Sequence, residues 1–247
     1  QAEARLDYAH VPPVERPVEA RIEVEALDLT WPVRTVGYVR GASDRVPESL
    51  TAAGLTIDLL SGADLERATA VGLDRFDVIV IGARAYESEP ALREARASLE
   101  QYVRTGGTLL IQYQQYPFLD QGQALVPFTI ARPHDRVTDE AAAMRPLVPA
   151  HPVFLHPHRL EASDWAGWVQ ERGLYFAHDW DPAYQPLLEI GAGDAALRGG
   201  LLVAPLGAGT YVYTGLAFFR QLPAGVPGAY RLFANLLSLS KPRSVTR

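Results

Sequence analysis

Residues 76–87 read Phe76-Asp-Val-Ile-Val-Ile-Gly-Ala-Arg-Ala-Tyr-Glu87, and residues 106–118 read Gly106-Gly-Thr-Leu-Leu-Ile-Gln-Tyr-Gln-Gln-Tyr-Pro-Phe118. Each holds a short, unbroken apolar run that stops at glycine or at polar side chains. Such runs, lacking alternation, mark strands buried on both faces. Between them, residues 89–104 place Leu92, Ala95, Leu99, Tyr102 and Val103 at helical spacing and halt at Gly106-Gly107. Strand, helix, strand in that order predicts a parallel sheet with right-handed crossovers.

The same rhythm extends toward the N-terminus. Residues 35–40 form a short apolar strand followed by a Gly-Ala-Ser-Asp loop, and a helix then begins with Asp44 as its N-cap and Pro47 in its first turn. Gly54 ends that helix, residues 55–60 give a strand, and residues 64–71 a short helix. Beyond Tyr116 the regularity fails: residues 117–160 hold many prolines and most of the histidines, and are expected to be long loops with short strands. Residues 199–204 and 210–216 predict a hairpin, and residues 228–239 a closing amphipathic helix. Residues 18–29 alternate apolar and charged side chains, as a half-buried edge strand does, or one left over from a preceding β-rich segment. The expected division is therefore an N-terminal extension, 1–33, and an α/β domain, 34–247.

Composition narrows the chemistry. A formal net charge of −6 and the lack of a Lys/Arg run argue against a nucleic-acid partner. No apolar run reaches the roughly 20 residues of a membrane-spanning helix. With no cysteine, disulfides, thiolate metal sites and thiol nucleophiles are all excluded. Residue 1 is Gln, the only methionine is Met144, and no signal-peptide hydrophobic region opens the chain; the expectation is a processed product or a piece of something longer.

In a parallel α/β sheet, ligands bind beyond the carboxyl ends of the strands. Those ends supply Arg40, Ser43, Asp44 and Arg45; then Arg84, Tyr86 and Glu87; then Gln112, Tyr113, Gln114, Gln115 and Tyr116. Such a set suits a polyhydroxylated or anionic ligand, against the more ordinary reading of a solvated loop rim where polar residues collect in any case. A second candidate is Arg132-Pro-His-Asp-Arg-Val-Thr-Asp-Glu140, where His134 and Asp135 could pair as acid and base, hold a divalent ion, or be tied down by salt bridges with neighbours such as Arg136. His151, His156 and His158 follow, without a strong metal-ligand spacing. A third is the aromatic stretch with Trp165, Trp168, Tyr175, Phe176, Trp180 and Tyr184, which either stacks on sugars, forms an interface, or seals the core. No Gly-x-Ser-x-Gly elbow and no glycine-rich phosphate loop is present. No cofactor is implied.

Several long motifs belong together: Val36-Gly-Tyr-Val-Arg-Gly-Ala-Ser-Asp44, Gly82-Ala-Arg-Ala-Tyr-Glu87, Gln112-Tyr-Gln-Gln-Tyr116, Trp168-Val-Gln-Glu-Arg-Gly-Leu-Tyr-Phe176 and Gly209-Thr-Tyr-Val-Tyr-Thr-Gly-Leu-Ala-Phe-Phe219. The chain resembles the C-terminal region of large secreted bacterial PIG-L (LmbE-like) deacetylases. The resemblance implies a class I glutamine amidotransferase-like (flavodoxin-like) fold related to ThuA-like domains: a parallel sheet flanked by helices, with an N-terminal strand extension and a C-terminal hairpin plus helix. It also implies a periplasmic or secreted location. The family's His-Pro-Asp-Asp zinc motif is absent, and the amidotransferase cysteine would fall near Tyr113 or Gln114. The resulting expectation is a non-catalytic accessory or carbohydrate-binding module. Its ligand residues are Arg40, Asp44, Arg84, Tyr86, Glu87, Gln114, Tyr116, His134 and Asp135, and its partner is a larger assembly or the rest of a deacetylase polypeptide. The alternative is a deacetylase-like hydrolase, with or without a metal ion, working through the His134/Asp135 region.

Overall fold

The structure, a computed structural model, describes residues 2–8, 10–18, 27–67 and 70–240. Strands β1 (Ala2–Tyr8) and β2 (Val11–Val18) pair with each other as an antiparallel hairpin. Most of the strand expected over 18–29 lies outside the described residues. Leu27, Leu29 and Trp31 pack against the core, and the Trp31 indole donates to the Ala53 carbonyl at 2.8 Å.

The body follows as β3 (Val36–Val39), α1 (Val46–Ala52), β4 (Ile57–Leu60), α2 (Gly62–Arg67), α3 (Ala70–Leu73) and β5 (Val78–Ile81). Next come α4 (Ala85–Ser88), α5 (Arg96–Arg104), β6 (Thr108–Gln112) and α6 (Tyr116–Asp120). The helix expected over 89–104 is split: Pro90–Arg93 is a 3₁₀ turn, and α5 begins only after it. Short strands then fill the irregular middle: β7 (Phe128–Ile130), β8 (Arg136–Val137), β9 (Met144–Pro146), β10 (Gly173–Leu174), β11 (Ala177–Trp180), β12 (Gln185–Pro186) and β13 (Leu188–Ile190). The chain closes with β14 (Leu201–Leu206), β15 (Gly209–Thr214), α7 (Phe218–Gln221) and α8 (Pro227–Leu237).

Seven of these strands form one sheet in the order β12-β14-β15-β6-β5-β3-β4. The strands from β15 to β4 run parallel, while β14 is antiparallel to β15 and β12 antiparallel to β14. The hairpin turn is tighter than expected, just Gly207-Ala208, with Gly207 at φ 63. Alternation in the buried strands divides the core: Val36, Tyr38, Val78, Val80 and Leu110 face one cluster with α1 and α8, and Val39, Ile79, Ile81, Leu109 and Ile111 face the other with α5. On α8, Leu232, Phe233, Leu236 and Leu237 are buried, each contributing about 1.5–3 kcal/mol. The dense aromatics divide too, Trp168 and Phe176 joining the first cluster and Tyr175 and Tyr184 the second.

Candidate functional site

The carboxyl ends of β3, β5 and β6 meet as anticipated, but their polar residues do two different jobs. At the β3 end the chemistry is internal. Tyr38 donates to the Asp44 carboxylate at 2.6 Å, and the Gln112 amide donates to the Tyr38 oxygen at 2.8 Å. Asp44, only 3% exposed, also accepts from the Val46 and Gly41 amides. The N-cap position of α1 is Arg45 rather than Asp44, although Asp44 still satisfies the first helical amide. Burial pushes the Asp44 carboxyl above its ordinary value and the Tyr38 phenol well above its own. Arg40 donates to the Asp44 carbonyl and grips Glu48 through two nitrogens. Close approach makes this corner possible: a Cβ on Gly41 would lie 1.7 Å from the Ala83 carbonyl oxygen.

Gln114, one of the two positions near which the resemblance put the nucleophile, is fully buried. Its amide donates to the carbonyls of Gly82 and Gln112 at 2.8 and 2.9 Å, and its oxygen accepts from the Tyr86 amide at 3.1 Å. The side chain thus fastens β6 to the turn after β5. Tyr86 is buried as well, edge-on to Phe118 at 4.8 Å. The left-handed backbone falls at Arg84 (φ 62), whose amide donates to the Tyr113 carbonyl and whose guanidinium holds Glu87 at 2.7 Å. Glu87 raises the Arg84 pKa further.

Above this floor lies a group assembled from five separate segments. The His134 and Tyr175 rings stack 3.9 Å apart and within 5° of parallel, and Tyr113 stacks on Tyr175 at 5.6 Å. Tyr116 meets Tyr175 edge-on at 5.3 Å and brings its hydroxyl to 3.5 Å from His134 Nδ1. Arg132, held by Asp120, covers the Tyr116 ring at 4.2 Å. Beside the stack, Glu171, its side chain 2% exposed, accepts from Arg136 at 2.6 Å and Arg220 at 2.8 Å. Burial pushes the Tyr113 phenol up to about 12 and raises that of Tyr175, where Tyr116, Glu87, Arg84 and Arg136 all exert their fields. Burial, and next the Arg136 charge, lower the His134 pKa; its Nε2 is sealed from solvent with no hydrogen-bond partner.

Of the residues expected at the site, Arg84, Glu87, Tyr116 and His134 come together here. Arg40 and Asp44 serve the β3 corner, and Gln114 and Tyr86 point into the interior. Asp135 does not join His134: its carboxylate pairs with His178 Nδ1 at 2.9 Å, beside a separate hollow of about 440 Å³ with Trp180, Glu189 and Arg198. Nor does it pair with Arg136, which is committed to Glu171. His151 and His158 are spent on backbone groups, and among the described residues no group of three or more His, Asp or Glu is placed to hold a metal ion. Tyr113, Arg136 and Tyr175 were each named in the sequence, but under three separate candidates that the fold brings together; the residues not singled out there are Glu171 and Arg220. The one available signal was Trp168-Val-Gln-Glu-Arg-Gly-Leu-Tyr175, where charged residues interrupt an apolar stretch.

No protein-family model and no curated protein matches the chain. Solved structures do. Two cytoplasmic proteins of Salmonella typhimurium are similar over 83% and 84% of this chain and 98% and 99% of theirs, with TM-scores of 0.54 and 0.55 and identities of 17% and 14%. PurLQS of Thermotoga maritima is similar over 85% of this chain and 100% of its own, with a TM-score of 0.52 and 13% identity. The periplasmic or secreted location expected from the sequence is overturned by the first two, which are named as cytoplasmic. At such identities the likeness speaks for architecture alone, and that architecture is the glutamine amidotransferase-like fold.

Proposed function

We propose that the chain is a non-catalytic binding module on an amidotransferase-like fold, holding an acidic, polyhydroxylated ligand of the carbohydrate class. It acts as an accessory subunit, or as one part of a larger polypeptide such as the deacetylases its sequence resembles. The observation that carries this reading is the Tyr113–Tyr175–His134 ring stack with three guanidiniums, Arg84, Arg136 and Arg220, set against two carboxylates, Glu87 and Glu171. An excess of positive charge on a chain of net charge −6 favours an anion, and the rings offer faces for sugar. Support also comes from Gln114, whose donors and acceptor are all engaged within the backbone.

The test is a screen of acidic and neutral oligosaccharides, followed by calorimetric titration of the strongest binder. Arg84→Ala and Tyr175→Ala should each weaken binding by about tenfold or more, the loss of one charge-assisted contact or one stacking face. Undiminished binding in both variants refutes the assignment.

A further inference from the structure

Glu171 and Arg172 are sequence neighbours, both almost fully buried at 2% and 3% exposure. Glu171 goes to the ring-stack site, and Arg172 lines a separate cavity of about 610 Å³, walled by Met144, Trp165 and Trp168 with Glu140 at its rim. Nε of Arg172 donates to the Ala142 carbonyl at 2.9 Å and Nη1 to the Trp165 carbonyl at 2.6 Å, while the guanidinium lies 5.5 Å over the Trp168 ring. Among the described residues no carboxylate comes within ion-pairing distance of Arg172, and Nη2 makes no hydrogen bond. Carbonyls fix the orientation of a guanidinium but do not neutralise it, and a buried cation lacking a counter-ion is unfavourable. Burial accordingly lowers the Arg172 pKa, with Asp139 and Glu140 opposing from farther off.

We propose that this cavity binds a small monocarboxylate with an apolar or aromatic body. The carboxylate meets the free Nη2 edge of Arg172, and the body lies against Trp165, Trp168 and Met144. The volume is that of a small-molecule site. Asp139 and Glu140 disfavour a more highly charged anion such as phosphate, and the Trp165 and Trp168 rings with Met144 give an apolar body surfaces to lie against. The site is independent of the ring stack, and its ligand is of another class.

Calorimetric titration of the full chain with phenylacetate and its neutral analogue phenylacetamide tests the proposal. Phenylacetate should bind saturably and about tenfold more tightly than the amide. Arg172→Lys, folded by circular dichroism, should lose about tenfold for the acid and little for the amide, because the ammonium cannot reproduce the guanidinium edge. Glu140→Gln, which keeps an oxygen to accept the Gln170 amide, should tighten acid binding about threefold. Arg84→Ala should leave it unchanged. Equal affinity for acid and amide, or an unaltered Arg172→Lys protein, overturns the proposal. If Arg172→Lys does not fold, unchanged acid binding in Glu140→Gln does so instead.

Discussion

His134 shows what one residue's surroundings decide. Its ring is held against Tyr175, its Nδ1 faces the Tyr116 hydroxyl, and its Nε2 is enclosed, so the neutral imidazole suits the native state best. Arg136 adds repulsion to the protonated form, while Glu171 and Asp135 partly offset it. The folded pKa therefore lies below the unfolded value of about 6.5. Native stabilisation from this group is complete above that value and declines as pH falls below it, because the unfolded chain takes up the proton first. Urea unfolding at pH 7 and pH 5 should show the wild type losing more stability than His134→Phe, which stacks but does not titrate. An Hε1 resonance titrating at or above 6.5 contradicts this. His134 was visible in the sequence as a candidate. Its environment was not, because the stacking partner Tyr175 lies in a segment whose aromatics look alike until the fold assigns each to a side of the sheet.

At the scale of elements, α8 was legible from its apolar spacing, yet that spacing passes over the residue that does most to position the chain around it. Asn235, fully buried, donates to the Val153 and His158 carbonyls at 3.0 and 2.7 Å and accepts from the His158 amide at 2.9 Å. It satisfies backbone groups of the proline-rich segment near residues 151–158, whose own helical structure is the single 3₁₀ turn Pro152–Phe154. Asn235→Ala should cost about 3 kcal/mol in urea unfolding, by leaving several buried backbone groups unpaired. Asn235→Asp should recover little of it, since a carboxylate cannot donate to the carbonyls. Strands β3, β5 and β6 were equally legible, because two-sided burial requires continuous apolar residues. Gln112 and Gln114 at the end of β6 were read as ligand groups because polarity reports a hydrogen-bonding requirement, not whether protein or ligand meets it.

For the whole molecule, Glu171 joins the segments around Arg136, Trp168–Phe176 and Arg220 into one rim beside the sheet. Glu171→Gln should lower stability by about 2 kcal/mol, less than for a fully buried pair because Arg136 and Arg220 remain 45% and 35% exposed and can hydrate. A midpoint within experimental error of wild type would show the rim to be independent of this carboxylate. Such long-range assembly is what a linear reading misses: the sequence indicates which elements exist, whereas the site depends on loops brought together from across the chain. The strand order has a further consequence, in time. Thr108 of β6 pairs with Thr210 of β15, so the central strand of the sheet gains its second neighbour only after the long irregular middle has been made. On the ribosome, Leu109, Leu110 and Ile111 therefore wait with an open backbone edge beside β5, and the growing chain carries its most adhesive surface at the centre of the future sheet until the last hairpin emerges.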